Sequence, residues 1–392
     1  MKNEIKLITF IGIRYADPIS SIDLTDDFLL FGSMLGATNY YIINQEKLKI
    51  LSEIQDEYIS GVKIHNNKLY ICIGDFKIII YHANNNNDNE QIPEYIQINN
   101  YNDEEGEEKH LKYCEKCLTM LNDGYLIRTF IDFPEKPEDP PIIKEMKFSI
   151  KNILQENDDN DNDDENKEIN GEIKMSNYSV PFDFDGNNYI YIDFIEQNKR
   201  SFNVYDVNSK NGTNFIIEEK FKNENFGHIS HLKVIKKDVL FLVRNYNICE
   251  IRNYELKIIK KLNIKSNEIL AFDLLFDDNE NNIKDDNNIN NENNINNITN
   301  ETREANEDKD DKEKKLLYIA ILDIDCNIFL YNYKEDSCKL LFNLENDDIG
   351  IDKDIKGQKF FLFGYPYFIK LTKKYIAITS DYGCILVQYS SF

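Results

Sequence analysis

The sequence predicts an all-β chain built from repeated units of short strands, and two observations carry that prediction. The two ends of the chain match each other. Placing Leu371-Thr372 on Leu24-Thr25 puts Tyr375 on Phe28, Ser380 on Ser33 and Gly383 on Gly36 without a gap. Short apolar runs rich in Ile, Tyr, Phe and Val also recur along most of the chain, separated by polar breaks of two or three residues. β-branched and aromatic residues fit a pleated, half-buried surface. Gly and Asp at such short spacing leave no room for a helix of useful length.

One unit reads as strand, tight turn, strand, tight turn, strand. In the C-terminal copy the runs are 367–372, 375–379 and 384–389. Asp381-Tyr382-Gly383 makes the second turn, because Asp bonds its own backbone and Gly accepts positive φ. The first unit spans 18–50. The second has runs at 58–64, 69–73 and 77–82. A weaker third holds 117–121 and 125–133, with 142–150 beyond a proline-rich break. The fourth holds 179–184, 189–194 and 201–207, and the fifth 229–235, 239–243 and 248–251. The sixth has 269–276, 316–322 and 327–333. The C-terminal unit ends one strand short, and residues 5–13 are expected to supply its outer strand, which would leave no free sheet edge at the join.

Multistranded repeats of about 40–45 residues point to propeller blades. The run Ser380-Asp381-Tyr382-Gly383-Cys384-Ile385-Leu386-Val387 resembles the turn between the second and third strands of WD40-type blades. Gly227-His228 resembles that family's Gly-His dipeptide. The chain departs from the family pattern in having no Trp, hence no Trp-Asp pair, and only one Gly-His. The resemblance implies a single seven-bladed WD40-like propeller over residues 1–392.

Hydrophobic content of 41% and aromatic content of 12% suffice for a sizeable core. The formal charge is −24, but three stretches, 84–110, 156–174 and 277–315, each carry net −7, so the remainder is near neutral. These stretches are rich in Asn, Asp and Glu. They are expected to be disordered insertions, since they cannot bury enough apolar surface to offset ordering entropy. With the heavy use of Ile, Lys, Asn and Tyr they resemble products of an AT-rich protist genome. Residues 1–10 lack the uninterrupted apolar core of a signal peptide. No apolar run approaches the ~20 residues that span a bilayer. Seven cysteines, an odd number, are expected to be reduced thiols in a cytoplasmic or nuclear protein.

Catalytic and metal-binding patterns are weak. His110, Cys114 and Cys117 have metal-like spacing, but no second Cys or His pair completes a zinc site. His228 and His231 would face opposite sides of a strand, so a capping role is favoured for the Gly-His pair. The Asp-rich run 158–165 has no register that supplies the Gly and Glu of a calcium loop. Phosphate-loop, nucleophile-elbow and dinucleotide fingerprints are missing, and the net charge opposes nucleic-acid binding. No cofactor is expected. The expected function is therefore a non-catalytic scaffold docking other proteins within a complex. The alternative is a propeller enzyme with its site at the channel mouth. The residues expected to contact partners lie just before the innermost strands: Tyr15, Asp17, Glu57, Tyr58, His228, Tyr365 and Tyr367.

Overall fold

The computed structural model describes residues 5–12, 17–53, 58–65, 68–73, 77–82, 94–97, 117–120, 125–132, 142–149, 168–174, 182–184, 188–196, 199–206, 211–218, 228–277, 315–345, 366–380 and 383–389. Strand β1 (Ile5–Gly12) opens the chain. The first sheet follows: β2 (Ile19–Leu24), β3 (Phe28–Ser33), β4 (Ala37–Ile42) and β5 (Lys47–Glu53). The second is β6 (Ile59–His65), β7 (Lys68–Ile73), β8 (Lys77–His82) and β9 (Glu94–Gln97). The third is β10 (Cys117–Met120), β11 (Tyr125–Asp132), β12 (Ile142–Ser149) and β13 (Glu168–Lys174). The fourth is β14 (Phe182–Phe184), β15 (Asn188–Glu196), β16 (Lys199–Asp206) and β17 (Asn211–Glu218). The fifth is β18 (Ile229–Lys236), β19 (Val239–Arg244), β20 (Ile248–Arg252) and β21 (Ile258–Lys261). The sixth is β22 (Ile269–Asp277), β23 (Lys315–Asp323), β24 (Asn327–Asn332) and β25 (Ser337–Asn343). The seventh is β26 (Pro366–Leu371), β27 (Tyr375–Ser380) and β28 (Gly383–Tyr389), with β1 paired antiparallel outside β28. No α-helix occurs among the described residues.

The matching chain ends have a shared physical cause. Thr25 Oγ1 accepts the Phe28 amide at 3.1 Å, and Thr372 Oγ1 accepts the Tyr375 amide at 3.0 Å. Both threonines thus tie the turn between first and second strands. Gly36 has φ 93°, a left-handed conformation that glycine adopts without strain. Gly383 is needed for a different reason. A Cβ there would lie 2.3 Å from the Ile11 carbonyl oxygen, so only glycine lets β1 approach.

The first strands of neighbouring sheets lie side by side: β26 with β2, β2 with β6, β6 with β10, β14 with β18 and β22 with β26. The core sits between sheets. Phe28, Leu30, Tyr40 and Ile42 of the first sheet pack with Ile59, Leu69, Ile71 and Tyr81 of the second. Leu322, Ile328 and Leu330 of the sixth pack with Ile376, Ile385 and Val387 of the seventh. A Cβ on Gly32 would lie 2.3 Å from Ile59, so glycine sets the spacing of the first two sheets.

The structure corrects two expected boundaries. β9 and β13 fall inside the stretches 84–110 and 156–174, which were expected to be disordered throughout. Both are edge strands with one hydrogen-bonded neighbour, so neither needs the continuous apolar run that marks a central strand. Residues 278–314 of the third stretch lie outside the described residues.

Candidate functional site

Five of the first strands carry the same irregularity near their start. Their pairing with the second strand skips Ser20, Ser60, Ser230, Leu270 and Tyr367. Each is a β-bulge, which re-aims a side chain. Ser20 Oγ donates to Gly32 O at 3.2 Å, Ser230 Oγ to Val243 O at 3.3 Å and the Tyr367 hydroxyl to Ser380 O at 2.8 Å. The bulge thereby fastens the strand entrance to the turn between the second and third strands.

In three sheets that turn is also held by the residue before the first strand. Pro18 O accepts the Met34 amide at 3.0 Å, His228 O accepts the Asn245 amide at 2.7 Å, and Glu268 O accepts the Ile324 amide at 2.7 Å. In these sheets, strand entrances and second-to-third turns therefore make one rim. The turns carry apolar side chains into solvent: Met34 and Leu35 in the first sheet, Tyr246 in the fifth and Ile324 in the sixth are 41–59% exposed.

The expected contact residues fall on this rim with mixed roles. Asp17 is buried, and its Oδ1 accepts the Leu35 amide at 2.7 Å, so it braces a turn. Tyr58 and His228 are half-buried at strand entrances. His228 donates its amide to Asn245 Oδ1 at 3.0 Å, and its ring centre lies 5.2 Å from that of Tyr246. Tyr367 is half-buried and its hydroxyl is used within its own sheet. Tyr15, Glu57 and Tyr365 lie outside the described residues.

Below the rim, charged residues occupy one level of the inner strands. Asp23, Lys63, Asp183, Lys233 and Lys370 each pair with the third residue of their sheet's second strand, and Asp273 pairs with Ala320. Each Asp reaches the next sheet. Asp23 Oδ2 accepts the Ile64 amide at 2.8 Å, Asp183 Oδ2 the Val234 amide at 2.7 Å and Asp273 Oδ2 the Leu371 amide at 2.9 Å. The lysine just before each amide completes the pair: Lys63 at 3.2 Å, Lys233 at 3.1 Å and Lys370 at 3.6 Å. The Lys370 side chain is partly exposed. Asp273 foremost holds its ammonium above the ordinary lysine value. Burial opposes this, Asp23 adds to it and Lys233 subtracts, so charges from three other sheets converge on Lys370.

Between the fifth and sixth sheets, His231 Nε2 donates to Leu270 O at 3.2 Å, and Nδ1 lies 3.0 Å from Ser230 Oγ. Its ring meets Phe272 edge-on, which explains why burial holds the imidazole below its ordinary value. Among the described residues, no group of three His, Cys, Asp or Glu is placed to hold a metal ion. His110 and Cys114 lie outside them, and Cys117 is placed only as backbone. No helix among the described residues is long and apolar enough to cross a membrane.

No protein-family model matches the chain, and no curated protein matches it. Solved structures do match in shape. The computationally designed Ika8 protein shares 9% identity at a TM-score of 0.50, covering 99% of this chain and 100% of its own. A chain of a mitotic checkpoint complex shares 9% identity at a TM-score of 0.52, covering 98% of this chain and 91% of its own. At such identities the likeness concerns the fold alone. Together with the four-stranded antiparallel sheets, it gives this chain a β-propeller-like fold.

Proposed function

We propose that the chain is a single seven-bladed propeller, closed where β1 joins the last sheet, that serves as a non-catalytic scaffold for other proteins inside the cell. The observation that carries this is the row of apolar side chains on the second-to-third turns. Met34, Leu35, Tyr246 and Ile324 project from one rim, where tight turns ordinarily hold Gly, Asn, Asp or Ser. Exposed apolar groups gathered at one edge of a folded surface mark interaction sites. Membership of a checkpoint assembly by a chain of similar shape fits a role in a complex. Five cysteines, Cys72, Cys249, Cys326, Cys338 and Cys384, are free thiols, which suits a reducing compartment.

Affinity purification with mass spectrometry tests the reading. The wild-type chain is compared with a variant carrying Met34→Ser, Leu35→Ser, Tyr246→Ser and Ile324→Ser. Partners recovered by the wild type should be depleted by the variant at equal thermal stability. An unchanged partner list would sink the rim as the docking surface.

A further inference from the structure

We propose that the rim where the fifth and sixth sheets meet docks a peptide segment carrying Lys or Arg beside an apolar side chain. This rests on the scaffold reading and names the partner chemistry of one part of the rim. Tyr246 is its centre. Its backbone has φ 66°, and Asn245 before it has φ 48°, so both central residues of the turn are left-handed. Such a turn favours glycine at the second position, and a bulky residue there is strained. Burial does not offset that strain, because Tyr246 is 45% exposed. Strain kept at an exposed aromatic residue points to a contact made outside the chain.

The surroundings are built around it. Tyr246 O accepts the Ile269 amide at 2.7 Å, which locks the turn against the entrance of the sixth sheet. The neighbouring Glu268 in turn holds Ile324 through its carbonyl, at 2.7 Å. The His228 ring centre lies 5.2 Å from that of Tyr246. Tyr246, Ile248 and Ile324 thus form an apolar strip, each at least 39% exposed.

Charge sets the partner. Glu268, Asp325 and Glu345 are exposed beside the strip, with Lys265 in the segment leading to Glu268. Asp323 is buried and committed to the amides of Asp325 and Asn327 at 3.1 and 2.9 Å. Glu345, Asp323 and Asp325 all bear on Cys326, whose thiol is pushed up to about 11, chiefly by burial. These carboxylates therefore converge next to Ile324. An apolar strip edged by acids is complementary to a segment with the opposite charge and an apolar anchor.

The test uses the full chain and two fluorescein-labelled peptides of equal length and leucine content, one with arginines and one with glutamates. By fluorescence anisotropy, the arginine peptide should bind at least about ten-fold tighter. Tyr246→Gly should weaken it about ten-fold while leaving the melting temperature unchanged or raised, because glycine accepts the left-handed turn. Glu268→Gln with Asp325→Asn should flatten the salt dependence. Equal affinity for the two peptides overturns the proposal. So does binding that survives Tyr246→Gly, since that is general attraction to a chain of net charge −24. Cellular partners that depend on Met34 and Leu35 but not Tyr246 overturn this site and leave the scaffold reading standing.

Discussion

Glu250 is fully buried, yet it is ionised, because two arginines meet it. Arg244 contacts it through Nε and a second nitrogen, both at 2.8 Å, and Arg252 through Nε at 2.7 Å. Burial alone would raise this carboxyl, but hydrogen bonds and charge from Arg244 and Arg252 outweigh it and hold the carboxyl below its usual value. Removing one member of a buried ion network costs about 3–5 kcal/mol. Glu250→Ala should therefore lose stability on that scale in urea unfolding, whereas a loss below about 1 kcal/mol would mean the network is not formed. His231 makes a pH prediction. Its folded-state value is lowered, so the unfolded chain binds the proton more readily between about pH 6.5 and that lower value. The stability that the neutral ring contributes is complete above about pH 6.5, drains as pH falls and is gone below the folded value. Urea midpoints measured from pH 8 to 5 should fall more steeply in the wild type than in His231→Gln. Parallel curves would refute it.

First strands and strands at the centre of each sheet were legible in the sequence; most of those at the outer edge were not. β3, β7, β19, β23 and β27 are nearly all buried, and residue after residue is apolar. The outer strands β9, β13, β17, β21 and β25 leave no such mark. β21 exposes both isoleucines beside its lysines, and β13 carries only Ile169 and Ile173 among polar residues and a glycine. β1 was legible as an apolar run, and its partner was legible because the last unit ended one strand short. The rim proposed for docking was half legible. Strand entrances were expected as its location, but the turn residues Met34, Leu35, Tyr246 and Ile324 were not named, because an apolar residue in a tight turn resembles the end of a strand. Seating of β1 can be tested with two glycines of one pair, Gly12 and Gly383. A Cβ on Gly12 would find only Phe10 at 3.8 Å, while one on Gly383 would strike the Ile11 carbonyl. Gly12→Ala should be tolerated. Gly383→Ala should cost about 1–3 kcal/mol and promote aggregation through the uncovered edge of β28. Equal effects would mean that β1 pairs elsewhere.

Across the whole molecule, the charge of −24 is a property of three stretches, and the remaining chain is close to balanced. Its inner level of Asp and Lys residues follows an order: Asp23, Lys63, then Asp183, Lys233, Asp273 and Lys370 on the first, second, fourth, fifth, sixth and seventh sheets. Lys370 also feels the attraction of Asp23, which joins the last sheet to the first. Signs that alternate around a cycle require an even number of members. The proposed ring has seven, so a strictly alternating set would be frustrated at one place, with two like charges adjacent. The third sheet removes the conflict: its register position, opposite the third residue of β11, is Thr119. In the proposed closed ring of seven, parity asks for neutrality at one such place. In the proposed ring either charge at this place repeats the sign of a neighbouring sheet, that of Lys63 in the second or Asp183 in the fourth. Thr119→Lys and Thr119→Asp should both destabilise by about 1 kcal/mol or more relative to Thr119→Ser, measured by thermal unfolding at low salt. If one of the two charges stabilises the protein instead, the order of signs around the ring is not the one described.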